Sequence, residues 1–380
     1  MKRSISMTEN YEKTTPKVKT LSDGQSVFLD FVRGSSAMVV FLGHLLRMDF
    51  DLRNFIDIWP FQRLAVVVFF WLSGVVIVYH SLTRKDYTAG AFFIDRFSRI
   101  YIIFIGAVFV TIFVQYYTAG NLGSNPLKEI IANVLMLAHT PFSKISSMLP
   151  EQIPRLFGNS PFWSLIIEWW LYMLWMVIFF FGRSASKIRL ILAIIAIPAV
   201  TVVGYFVYKE FIGLMWFWGA LSALLLVKLQ TGNEPFLNGR QINKYICCII
   251  ALLALIGILV RFTILSKTGR VFMLDMQLGI FVATLLCSLL FLCRDINFPN
   301  WFGRLSKFLA FISYTLFLTH LPVAKFYTFL LTKELPSGSF YHTLLVILLT
   351  FFTGVGLALL LENRHYSLRK VLKKRLLKKG

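Results

Sequence analysis

The chain has 380 residues, 57% of them hydrophobic and only 15% charged, with a mean hydropathy of +0.70 and a formal net charge of +21. That composition excludes an ordinary soluble domain, and its long unbroken apolar runs exclude a β-barrel, whose strands alternate apolar and polar residues. The positive charge sits in the loops between runs and at the two ends, with no basic stripe interleaved with exposed aromatics, so the bilayer and not nucleic acid is the expected partner.

The fold class that follows is an all-α polytopic integral membrane protein of about ten transmembrane helices. Residues 1–26 are polar and read as a cytoplasmic tail. The first apolar run lacks a small-residue cleavage site and is expected to be a retained helix, not a signal peptide. Spans are predicted at 27–46, 59–80, 100–117, 161–182, 190–208, 211–229, 245–260, 271–292, 308–330 and 342–361. The stretch 127–139 is apolar but too short to cross, which suits a re-entrant or interfacial helix. With the N-terminus inside, 26 of the 39 lysines and arginines fall in cytoplasmic segments, so both termini are expected in the cytoplasm. Arg261, Lys267 and Arg270 run against this bias. Three parts result: the tail 1–26, a membrane domain 27–362, and a basic tail 363–380 whose LRKVLKKRLLKKG suits an anionic inner leaflet.

Ionisable groups inside spans are costly and mark functional interiors. Arg33 and His44 lie eleven residues apart in the first span. That is close to three helical turns, so they share a face about 16 Å apart along the axis. An interfacial cap is the plainer alternative for His44, and a snorkelling cation for Arg33. In FIDRFSRIYI, Arg96 and Arg99 share a face at the cytoplasmic mouth of the third span, and paired guanidinium forks suit phosphate oxygens. Ordinary positive-inside flanking would also place them there. Glu168 lies two turns into the fourth span, in SPFWSLIIEWWLYMLW, among Trp163, Trp169, Trp170, Tyr172 and Trp175. A carboxylate there needs a histidine or arginine partner, and Ser164 is one turn before it. His320 occupies the middle of the ninth span with Ser313, Tyr314 and Thr319 close by. His80, His139, His342 and His365 are expected at interfaces, and Glu362 beside a cytoplasmic-side arginine. Cys247, Cys248, Cys287 and Cys293 lack the spacing of a disulfide framework or a zinc site.

Taken in order, these segments resemble the membrane-bound acyltransferase family 3. LDFVRGSSAMVVFLGHLL is similar to its arginine, ten residues, histidine signature. FFWLSGVVI (69–77), RFSRIY, WSLIIEWWLY and ISYTLFLTHLP resemble its later motifs. Two departures stand out. Gly43 precedes His44 where many members carry a small hydroxyl residue, and no extracytoplasmic hydrolase-like domain follows the last span.

The resemblance implies an integral membrane O-acyltransferase of the bacterial inner membrane. It would move an acyl group, usually acetyl, from cytoplasmic acyl-CoA to a hydroxyl of a cell-surface saccharide or glycolipid. Acetyl-CoA is then a co-substrate, with no permanently bound cofactor and no metal. In that scheme His44 is the general base, or an acyl-histidine relay. Arg96 and Arg99 hold the donor's phosphates, with Arg33 deeper. Glu168 or His320 orients His44 or binds the sugar, and Ser164, Trp163 and Tyr172 line the acceptor. A homo-oligomer or a separate extracytoplasmic partner is compatible with this scheme. A proton-coupled transporter of an anionic solute is the competing class, against which no paired broken spans are found. A scaffold or sensor would leave the buried titratable groups as an unexplained cost.

Overall fold

The computed structural model describes residues 21–49, 61–138, 140–141, 156–231, 240–268 and 271–376. Among these, regular structure is helical throughout. Twelve α-helices follow one another: α1 (Asp23–Asp49), α2 (Phe61–Thr83), α3 (Ala89–Ala119), α4 (Pro126–Val134), α5 (Phe162–Phe180), α6 (Ser186–Glu210), α7 (Ile212–Thr231), α8 (Arg240–Thr268), α9 (Val271–Leu292), α10 (Asn300–Leu331), α11 (Phe340–Leu361) and α12 (Arg364–Leu376). Nine helices among the described residues are long and apolar enough to cross a membrane; Gly213–Leu229 within α7 falls just short. The ten expected spans fall on ten of the twelve helices, all but α4 and α12. The short apolar stretch forms the nine-residue α4, which ends where Met136 turns into the left-handed region at φ 58°. His139 lies outside the described residues.

The largest departure from the sequence expectation is at α3. It begins at Ala89, eleven residues before the expected span, because Thr88 caps it: the Thr88 hydroxyl accepts the Ala91 N–H. Asp95, Arg96 and Arg99 are therefore inside the helix, not in the loop before it. A buried aspartate is tolerable there because it is paired. Asp95 bonds Arg84 at 2.7 Å and Lys373 at 2.7 Å, with Arg369 at 3.9 Å. The Tyr87 hydroxyl donates to it as well, at 3.0 Å. Burial pushes the Tyr87 hydroxyl up from its ordinary value, which keeps it a donor. Lys373 and Arg369 belong to α12, so this cluster straps the basic C-terminal helix onto the start of α3. Its inner stripe is buried His365 with half-buried Leu368, Arg369, Leu372 and Lys373, at the i, i+3, i+4, i+7, i+8 spacing of a helix face packed on protein.

Two close approaches set the helix arrangement, since water-free packing between spans favours small residues at crossings. α2 and α7 cross at Gly74 and Gly219. A Cβ on Gly74 would lie 2.1 Å from the Trp216 carbonyl oxygen, and one on Gly219 2.0 Å from that of Trp71. α1 meets α10 at Gly34, where a Cβ would come within 2.4 Å of Leu309 Cβ. That second crossing carries the site, because it sets α1, with Arg33 and His44, against α10, with His320. Trp71, Phe104, Phe162 and Trp216 fill the main core, while α6 and α8 present Ile194, Ile197, Leu252 and Leu259 outward.

Candidate functional site

Five helices close around a cavity of about 100 Å³. α1 contributes Arg33; α2 contributes Phe69 and Ser73; α3 contributes Arg96 and Arg99; α5 contributes Ser164, Glu168 and Tyr172; α10 contributes Ser313, Tyr314 and Phe317. Three guanidinium groups, one carboxylate and five hydroxyls thus meet in an otherwise apolar wall of Val66, Phe70, Ile77 and Leu165.

The polar groups are only partly matched to one another. The Tyr172 hydroxyl donates to the Glu168 carboxylate and accepts from Ser73 Oγ at 2.9 Å. Glu168 therefore finds a tyrosine as its direct partner, with Arg33 in electrostatic reach. Glu362 accepts from Thr315 Oγ1 at 2.9 Å and lies within reach of Arg99 and Arg33. Ser164 Oγ donates to the Pro161 carbonyl at 2.9 Å. Two donors on residues that line the cavity stay unspent: Arg96 Nε and the Tyr314 hydroxyl are buried without a hydrogen-bond partner. A buried donor left unmade costs on the order of 1–3 kcal/mol, which a ligand with oxygen acceptors would recover.

One helical turn beyond this cavity, the two histidines meet. On α1 the stripe from Arg33 runs through the buried Ala37, Val40 and Phe41 to half-buried His44. On α10 the stripe Ser313, Phe317 continues to fully buried His320. His44 Nδ1 and His320 Nε2 are 2.9 Å apart, with rings nearly parallel at 19° and centroids 5.1 Å apart. The phenyl edge of Phe41 packs on His320 at 6.2 Å.

The hydrogen-bond pattern assigns the protons. His320 Nδ1 faces the carbonyls of Phe317 at 2.9 Å and Leu316 at 3.1 Å, and a carbonyl can only accept. Nδ1 of His320 therefore carries the hydrogen and its Nε2 the lone pair. That lone pair must receive the hydrogen of His44 Nδ1. The outcome is a His44 whose Nε2 holds its own lone pair, oriented by a fixed second imidazole.

Each residue singled out from sequence can now be placed. Arg33, Arg96, Arg99, Ser164, Glu168 and Tyr172 share the cavity, and His44 and His320 pair next to it. Phe69 and Phe317, whose rings are 5.4 Å apart, lie on the wall between. Trp163 is half-buried against the core and is not among the cavity residues. Its neighbours do structural work: Trp170 Nε1 donates to the Met136 carbonyl at 2.8 Å and Trp175 Nε1 to Ser81 Oγ at 3.0 Å. His80 is exposed near the end of α2, whereas His342 and His365, near the starts of α11 and α12, are buried against other parts of the protein. His365 Nδ1 donates to the Glu362 carbonyl. Sequence reasoning passed over Ser73 and Asp95. The signal for Asp95 was present in FIDRFSR, an acid between basic residues at a span mouth.

A family model described as an acyltransferase domain, the third of that name, matches residues 26–363. No curated protein and no solved structure matches the chain.

Proposed function

The chain belongs to membrane acyltransferase family 3, and from that premise we propose that it moves an acetyl group from cytoplasmic acetyl-CoA to a hydroxyl of a cell-surface saccharide or lipid-linked glycan. The observation that carries this reading is the proton arrangement of the histidine pair, which leaves His44 Nε2 free to take a proton. A sugar hydroxyl is a poor nucleophile at neutral pH. A positioned base that removes its proton during attack contributes on the order of 10²–10⁴ in rate.

The step balances as follows. His44 Nε2 accepts the hydroxyl proton as the sugar oxygen bonds to the thioester carbonyl carbon. The carbon–sulfur bond then breaks, and the imidazolium returns its proton to the departing thiolate, giving the O-acetyl ester and free coenzyme A. His320 holds the His44 ring through Nδ1 and stabilises the charge that forms there. Arg96 and Arg99, at the end of the cavity beside α12, suit the donor's phosphates. The narrow chamber beyond them suits its extended pantetheine arm. The distance of about 16 Å along α1 from Arg33 to His44 matches a donor that is anionic at one end and reactive at the other.

The test is transfer of labelled acetyl from acetyl-CoA to envelope glycan in membranes carrying equal amounts of each protein. His44→Ala is expected to abolish transfer while acetyl-CoA still binds. Arg96→Ala combined with Arg99→Ala is expected to raise the KM for acetyl-CoA instead. Full transfer by His44→Ala removes that residue from the chemistry.

A further inference from the structure

Proline lacks the N–H that an α-helix sends back four residues, and its ring crowds the carbonyl it faces there. In α10 that proline is Pro322, and the carbonyl is Leu318's. This is two residues from His320, in the turn on which the histidine pair depends. A buried carbonyl in this position needs a donor from elsewhere. It has one: Asn159 Nδ2 donates to the Leu318 carbonyl at 3.1 Å.

Asn159 is 2% exposed and arrives from the turn before α5. That turn passes through the left-handed region twice, at Phe157 (φ 45°) and Gly158 (φ 75°). Its amide has no freedom to flip. The other Nδ2 hydrogen goes to Thr111 Oγ1 at 3.0 Å, whose own hydrogen is committed to the Ala107 carbonyl at 2.7 Å. Both neighbours can only accept, so both require the nitrogen. The Asn159 Oδ1 is buried without a partner, a cost the site bears to keep the two donors in place. Backbone strain at Phe157 and an unsatisfied acceptor at Asn159, two residues on, are features that gather at functional sites.

We infer that Asn159 is a positioning residue for His320: it ties down the carbonyl that Pro322 releases, and links α3, the α5 entry turn and α10 into a mount for the histidine pair. It touches neither the cavity nor the reacting atoms. Its effect passes through the position of His320 Nε2 relative to His44 Nδ1. The consequence for rate rests on the acyl-transfer reading of that pair; the tie itself does not.

The test uses the full chain in membranes, with acetyl-CoA as donor and endogenous envelope glycan as acceptor. Asn159→Ala is expected to lower the maximal rate by up to roughly 10-fold, no more than the loss of the His320–His44 hydrogen bond itself, with the KM for acetyl-CoA unchanged. Asn159→Asp, similar in size but without the donor, should behave alike. Pro322→Ala placed in the Asn159→Ala background returns an N–H to the Leu318 carbonyl and should restore most of the rate. This double variant also carries the test if Asn159→Ala fails to accumulate, because it has no orphaned carbonyl. A second readout is independent of activity: diethyl pyrocarbonate labelling, followed at His320 by peptide mass spectrometry, should be faster in Asn159→Ala than in the native protein. Three results overturn the inference: normal rate in Asn159→Ala when His44→Ala is inactive; a loss that Pro322→Ala does not repair; or unchanged labelling of His320. If His44→Ala proves fully active, the catalytic reading falls separately, and the labelling alone decides whether the tie exists.

Discussion

Replacing His320 by alanine separates a residue that does chemistry from one that holds another in place. The substitution removes the acceptor for His44 Nδ1–H, at present 2.9 Å away, and leaves the imidazole of His44 itself intact. A hydrogen bond of this kind contributes a net ~0.5–1.5 kcal/mol. At about 1.4 kcal/mol per factor of ten, losing the lock on tautomer and ring orientation should slow transfer by roughly 3- to 10-fold. Loss of the partner for the imidazolium would add to that. Removing the base itself, as in His44→Ala, forfeits the full 10²–10⁴ or so that proton transfer supplies. The two variants should therefore differ by at least about tenfold, with His44→Ala the slower. The assay is release of base-labile acetate from envelope glycan in cells matched for protein level, backed by initial rates with labelled acetyl-CoA in membrane vesicles. If His320→Ala is as inactive as His44→Ala, or more so, with both proteins folded, the assignment of base to His44 and support to His320 is wrong.

Two other perturbations probe the cavity and the strap that holds α12. Tyr314→Phe removes a buried hydroxyl that has no partner, so thermal stability in detergent should hold or rise, by up to about 1–3 kcal/mol. Acetyl-CoA affinity should fall by less than about tenfold; an unchanged affinity measured by titration would show that the hydroxyl does not face the donor. Asp95→Asn removes the charge that Arg84, Lys373 and Arg369 share. It should loosen α12 by about 1.5–3 kcal/mol and speed tryptic cleavage within Arg364–Leu376, while protection equal to the native protein would mean that packing alone holds the helix.

The membrane class and the positions of the long helices were legible because hydrophobic run length is a local property. The shared face of Arg33 and His44 was legible for the same reason: helical periodicity fixes it without knowledge of any neighbour. Which group paired with which was harder to read. Glu168 needed a partner on electrostatic grounds, and histidine or arginine was the natural expectation; the direct one is Tyr172, four residues along its own helix. The start of α3 was misplaced because hydropathy discounts Asp95 and Arg96, whereas the structure compensates them with Arg84 and the C-terminal helix. Asn159 was invisible for a different reason. Its role exists only because Pro322, more than 160 residues later, leaves a carbonyl unpaired. Trp163, grouped with the site by its motif, packs against the core. Motif membership does not say which way a side chain points.

Gly34 tests whether the histidine pair depends on helix spacing. A Cβ there would come within 2.4 Å of Leu309 Cβ and 2.9 Å of the Leu309 carbonyl carbon. Carbon atoms repel strongly well inside their optimal separation of about 3.5–4.0 Å, so Gly34→Ala must push α1 and α10 apart locally by on the order of 1 Å. His44 lies ten residues further along α1 on the same contact. If the helices splay as rigid rods, its 2.9 Å bond to His320 lengthens past the range of a useful hydrogen bond, about 3.2 Å. Transfer should then drop at least as far as in His320→Ala, in a protein that still folds and still binds acetyl-CoA. The compensating change discriminates causes. Leu309→Ala keeps the offending Cβ and should give no rescue. Leu309→Gly removes it, leaves the carbonyl carbon, and should restore activity in part. Equal rescue by both, or full activity in Gly34→Ala alone, would mean that the α1–α10 crossing does not set the distance between the two imidazoles.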